Sequence, residues 1–202
     1  MSLGLLALIF FIGGGVGLWL VSHILEALRP VPRPPETLRW AREIPIDYVH
    51  IGGCRLRYIK AGQGPNLVLL HTLRTQLDLF DKVVPELAKH FTVYALDYPG
   101  HGYSDIPKAR YDADFFAGSV ESFLNVLDLR DVTLSGVSIG GAISLILAGR
   151  RNPRVARVVA INPYDYAKGR GIARSSLAGW MITQPATRPT RRGPTPASRC
   201  NR

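Results

Sequence analysis

The chain has 202 residues, of which 47% are hydrophobic, enough for one domain with a sizeable core. Its 25 Lys and Arg against 15 Asp and Glu give a formal charge of +10, but the excess is local: residues 185–202 hold Arg188, Arg191, Arg192, Arg199 and Arg202 and no acid, and Arg29, Arg33, Arg39 and Arg42 follow an N-terminal apolar run. Basic charge marks a nucleic-acid binder when it clusters on a folded face, so this distribution argues against a nucleic-acid partner. Two cysteines, Cys54 and Cys200, make neither a disulfide framework nor a metal-ligand spacing, and no metal or cofactor is expected.

No Asp, Glu, Lys or Arg precedes Glu26, and Leu3 to Leu25 is apolar apart mainly from Gly13, Gly14, Gly15, Gly17, Ser22 and His23. As a helix this run spans about 35 Å, enough to cross the hydrocarbon core. A cleaved signal peptide would have a basic n-region, a shorter apolar run and a small-x-small cleavage site. Met1-Ser2 supplies no basic side chain, and no Ala-x-Ala follows. The expectation is an uncleaved single-pass anchor over residues 1–28, embedded through 3–25. The arginines on its C-terminal flank predict a cytoplasmic globular part. Pro30, Pro32, Pro34 and Pro35 stop the helix and predict a stiff Pro/Arg-rich linker over 29–43.

The globular part is expected over 44–166. Ile44–Ile51 and Cys54–Lys60 alternate apolar and polar residues around Gly52-Gly53, the pattern of a β-hairpin. Asn66–Leu70 is a short apolar run and reads as a buried strand. Residues 76–90 put Leu77, Phe80, Val83, Val84 and Leu87 at helical spacing. A strand over 91–96, a turn-rich loop over 97–105 and an amphipathic helix over 112–128, capped by Asp112 or Asp114, come next. Strand 131–137, helix 139–150 and strand 155–161 complete the pattern. Strands alternating with helices imply right-handed βαβ units and a mostly parallel sheet entered by a hairpin. Residues 167–184 read as the start of a lid or cap. Residues 185–202 carry almost no apolar side chain and are expected to be disordered.

Gly136-Val137-Ser138-Ile139-Gly140 is a G-x-S-x-G pentapeptide between a strand-like and a helix-like run. That context is the one a nucleophile elbow requires: a serine on a sharp turn, with small residues letting strand and helix approach. The five histidines are His23, His50, His71, His90 and His101, so none follows Ser138.

With Leu69-Leu70-His71 at a strand end and Asp97-Tyr-Pro-Gly-His-Gly-Tyr-Ser104 as a D-x-x-G-x-G-x-S turn, the elbow makes the chain resemble the α/β-hydrolase superfamily from about Ile44 to Pro163. The likeness is greatest to its esterase, lipase and haloperoxidase-like members; serine at the elbow disfavours the epoxide hydrolases and haloalkane dehalogenases, whose nucleophile is normally aspartate. The resemblance implies an α/β fold in which Ser138 Oγ attacks an acyl carbon. It also implies that the backbone N–H groups of Ile139 and Leu73 form the oxyanion hole, in a loop where the family carries His-Gly and this chain has His71-Thr72. Asp165 falls where some relatives place the acid of the triad, and a helix cap or loop carboxylate is the alternative. His71 and His101 correspond to loop-stabilising positions. The superfamily's order is Ser, acid, His, so the chain reads as a C-terminally truncated hydrolase, without the closing strands and lid, joined to an unrelated tail after about Gln184. The implied function is a membrane-anchored serine hydrolase acting on a small-molecule ester or similar acyl substrate, of lipophilic character, with little or no activity in this form. The alternative is a non-catalytic, hydrolase-like binding protein.

Overall fold

The computed structural model describes residues 3–28, 30 and 33–164. Asp165, the expected lid region 167–184 and the tail 185–202 lie outside the described residues. The N-terminal apolar run is one helix, α1 (Leu3–Leu28), whose stretch Phe10–Leu28 is long and apolar enough, by length and composition, to cross a membrane. It belongs to a compact unit separate from the globular part, which begins at Pro34.

Among the described residues the globular part has six strands: β1 (Ile46–Ile51), β2 (Cys54–Ala61), β3 (Asn66–Leu70), β4 (Thr92–Leu96), β5 (Val132–Val137) and β6 (Val155–Ile161), in the order β1-β2-β4-β3-β5-β6. The β1–β2 hairpin is antiparallel, β2 pairs antiparallel with β4, and the remaining pairs are parallel. Cys54 is buried at the head of β2.

Strand alternation divides the core into two layers. Val68 and Leu70 of β3 face a cluster with Leu134, Phe116, Phe123 and Ile143. Leu67 and Leu69 face the opposite cluster with Leu77, Phe80 and Val84. The first layer is covered by α3 (Ala113–Val126) and α4 (Ile139–Gly149). Asp112 caps α3, its carboxylate accepting the Phe115 N–H at 2.9 Å.

Two expectations change. Residues 76–90 are not one helix but a 3₁₀ turn, Leu77–Phe80, followed by the single-turn α2 (Val84–Leu87). Pro85 lacks the N–H a longer helix would need and sits in the first turn of α2, where none is required. The core also starts before residue 44: Leu38 and Ala41 are 1% and 4% exposed and pack with Leu77, Phe80 and Val84. The stretch expected to be a bare spacer therefore contributes its last part to the second layer.

Candidate active site

At the end of β5 the chain reverses through Ser138, whose φ of 55° and ψ of −112° form a left-handed turn into α4. A side-chain-bearing residue pays on the order of 1–3 kcal/mol for such a conformation, which persists only where the surroundings over-determine it. They do so here. Ser138 N–H donates to Ile161 C=O at 2.9 Å, and Ser138 C=O accepts the N–H of Ala142 at 3.0 Å and of Tyr164 at 3.1 Å. The flanking glycines are steric necessities. A Cβ on Gly136 would enter the Gly140 backbone, and one on Gly140 would enter the Leu70 carbonyl. Gly140 thus lets the end of β3 approach the first turn of α4. That turn contains the Ile139 N–H, one of the amides without an intrahelical partner at a helix N-terminus.

The loop after β3, residues 71–76, is organised by one carbonyl. Thr72 C=O accepts from His71 Nδ1 at 2.7 Å, from Thr75 Oγ1 at 2.8 Å and from Thr75 N–H at 3.4 Å. Thr72 therefore stands where the family has glycine without needing glycine's freedom. The residue with left-handed backbone is Arg74, at φ 59°. Leu73, just before it, is 43% exposed.

His71 is fully buried. Its Nε2 accepts the backbone N–H of Tyr98 at 3.3 Å while Nδ1–H is given to Thr72. Burial lowers its pKa to about 3, against a smaller opposing contribution from the Thr72 bond. His101 lies with its ring 5.3 Å from that of His71, and burial lowers its pKa as well. The His71 ring thus links the loops after β3 and β4, while His101 Nδ1 lies 3.3 Å from Pro99 C=O within its own loop.

Sequence inspection missed a buried charge network beside this loop. Arg57, fully buried on β2, donates from Nε to Asp97 Oδ2 at 2.7 Å and from Nη2 to Asp78 Oδ2 at 3.0 Å. Asp97, also fully buried, accepts the N–H of Leu77 on Oδ1 at 2.7 Å and of Tyr103 on Oδ2 at 3.0 Å. Burial raises the Asp97 carboxyl above the usual carboxylate range, and Arg57 with these two amides offsets only part of that rise. The one available signal was Asp97 opening the D-x-x-G-x-G-x-S block. No group of His, Cys, Asp and Glu suited to a metal occurs among the described residues. A cavity of about 360 Å³ lies between the β1–β2 turn and α3 and shares no lining residue with the elbow.

The family profile for the alpha/beta hydrolase fold matches residues 65–195. The chain belongs to the α/β-hydrolase fold family. The match reaches residue 195, into the stretch expected to be an unrelated tail. Among its relatives, this α/β hydrolase is 31% identical over 118 residues to the 2-(acetamidomethylene)succinate hydrolase of Mesorhizobium japonicum, covering 58% of this chain and 42% of that one. It is 31% identical over 155 residues to the serine hydrolase BPHL of Homo sapiens, covering 72% and 53%. The crystal structure of a bacterial membrane phospholipase A superposes with a TM-score of 0.56 at 28% identity, covering 78% of this chain and 51% of that one. This α/β hydrolase spans between about a third and a half of the length of the curated relatives it matches, from 30% to 53%.

Proposed function

We propose that this α/β hydrolase is a membrane-anchored serine hydrolase, with Ser138 as nucleophile toward an ester or similar acyl bond and α1 as a single-pass anchor. The observation that carries the proposal is the strained left-handed backbone of Ser138 between β5 and α4, because strain of this kind is retained where it aims a reactive group. In this mechanism Ser138 Oγ adds to the acyl carbon as its proton passes to a base, the carbonyl π electrons move onto oxygen as an oxyanion stabilised by the N–H groups of Ile139 and Leu73, and collapse of the intermediate breaks the acyl C–O bond, the departing alcohol taking up that proton. Preorganised donors of this type are worth several kcal/mol, since they do not reorganise as charge forms. Apolar side chains next to the elbow support a lipophilic acyl group. Ile161 and Tyr164, whose backbones bond to Ser138, are 46% and 41% exposed, and a membrane phospholipase A is among the structural neighbours.

A serine triad also needs a base within hydrogen-bond reach. Both nitrogens of His71 are occupied, and no histidine follows Ser138 in the 202 residues. A serine without such a base is a neutral, weak nucleophile, and removing the base from a triad costs on the order of 10⁴–10⁶ in rate. That same observation favours the second reading, a non-catalytic hydrolase-like binding protein.

One experiment separates them. The full chain in detergent micelles is treated with an organophosphonate probe, with and without added imidazole. Slow labelling of Ser138, accelerated by imidazole and absent in Ser138→Ala, is the expected result. Labelling of Ser138 no faster than that of surface serines, with or without imidazole, would leave the binding-protein reading standing.

A further inference from the structure

We infer that Trp40 is a positioning residue for the loop over residues 71–76, acting through Asp78 and the buried Arg57–Asp97 pair. The inference rests on the reading of that loop as the carrier of an oxyanion donor.

The connections form an unbroken relay. The Trp40 indole N–H donates to Asp78 Oδ1 at 2.8 Å. The other oxygen of Asp78 accepts from Arg57 Nη2 at 3.0 Å. Arg57 Nε donates to Asp97 Oδ2 at 2.7 Å, and Asp97 Oδ1 accepts the Leu77 N–H at 2.7 Å. Leu77 and Asp78, the first two residues of the 3₁₀ turn that follows the loop, are thus held by side chains from the segment before β1, from β2 and from the end of β4. The other end of the loop is held by His71 and Thr75 on the Thr72 carbonyl.

Trp40 occupies the one outward-facing link. Arg57 and Asp97 are fully buried, whereas the Asp78 side chain is 33% exposed. Without the indole N–H, water competes for Oδ1, Asp78 is free to turn outward, and Arg57 Nη2 loses its acceptor. Arg57 Nη1 already has no hydrogen-bond partner among the described residues, so Arg57 has no spare bond to compensate. The indole is itself fixed because Leu38 and Ala41, on either side of it, are buried against Leu77, Phe80 and Val84. A donor displaced by about 1 Å is enough to cost on the order of a hundredfold in rate. The relay therefore matters to chemistry without touching substrate.

Amide hydrogen exchange on the full chain in detergent micelles tests this. In Trp40→Phe, which keeps the ring but not the N–H, loss of one hydrogen bond should speed exchange in peptides spanning 72–78 by about tenfold, with β3 and β5 peptides unchanged. Asp78→Asn should loosen the same peptides, and the double variant should exchange no faster than the faster single variant, because both break one relay. Unchanged loop exchange in both variants, acceleration spread evenly over the domain, or multiplying effects in the double variant would overturn the inference. Imidazole-assisted labelling of Ser138 keeps the two readings apart. A loosened loop with undiminished labelling leaves the relay standing and sinks the oxyanion role of the loop.

Discussion

His71 accepts the backbone N–H of Tyr98 on Nε2 at 3.3 Å, so the imidazole on the β3 end ties down the residue that follows Asp97 in the next loop. With Nδ1–H on Thr72, the ring is held neutral in a buried site, and the nitrogen a catalytic base would use is already filled.

This arrangement predicts acid sensitivity. The imidazole pKa falls from 6.5 to about 3 on folding, chiefly by burial. Above the first value neither state carries the proton, and stability is at its full value. Between the two values only the unfolded chain takes it up, so stability falls as pH drops, by up to about 1.4 kcal/mol per unit. Lowering the pH from 7 to 5 should therefore cost about 2 kcal/mol from His71, and His101 acts in the same direction. Denaturant midpoints at the two pH values check this. An unchanged slope in His71→Gln would show that other groups are responsible.

The elbow should trade stability for chemistry. Ser138→Gly relieves a left-handed conformation that glycine adopts freely and should gain about 1 kcal/mol, while abolishing probe labelling. Gly140→Ala drives a Cβ into the Leu70 carbonyl and should cost about 3 kcal/mol or more. Thermal unfolding of each variant against the parent measures both, and a destabilised Ser138→Gly would refute the strain.

The ion pairs should differ sharply in weight. Arg57→Met strands the buried Asp97 carboxylate and should cost about 3–5 kcal/mol. Lys89 pairs with Glu86 in solvent, with side chains 60% and 70% exposed, and Lys89→Ala should change stability by less than about 0.5 kcal/mol. Equal effects in denaturant titrations would contradict this assignment.

If α1 anchors the chain, alkaline carbonate should leave the full-length protein in the membrane pellet, because a spanning helix is held by its apolar length rather than by charge. Release into the supernatant would exclude the anchor.

The elements legible in the sequence are those whose signal is local. Gly136-x-Ser138-x-Gly140 sits between an apolar run and a helical one, so strand, turn and helix can be read from adjacent residues. The Gly52-Gly53 hairpin and the Asp112 cap are of the same kind. The 76–90 segment misled because helical spacing of its apolar residues outweighed Pro85. The early start of the core was hidden because Leu38 and Ala41 sit among prolines and charges and are recognisable as core only by what covers them.

By itself, then, the sequence determined the α/β class, the apolar helix and the serine at its turn, since periodicity and turn chemistry act between neighbours. Tertiary structure decided the rest. It inserted β4 between β2 and β3, buried Arg57 against an aspartate 40 positions away, and joined Trp40 to Asp78 across 38. Such pairings leave no local trace, because a buried charge is stable only when a partner from a distant segment is folded onto it.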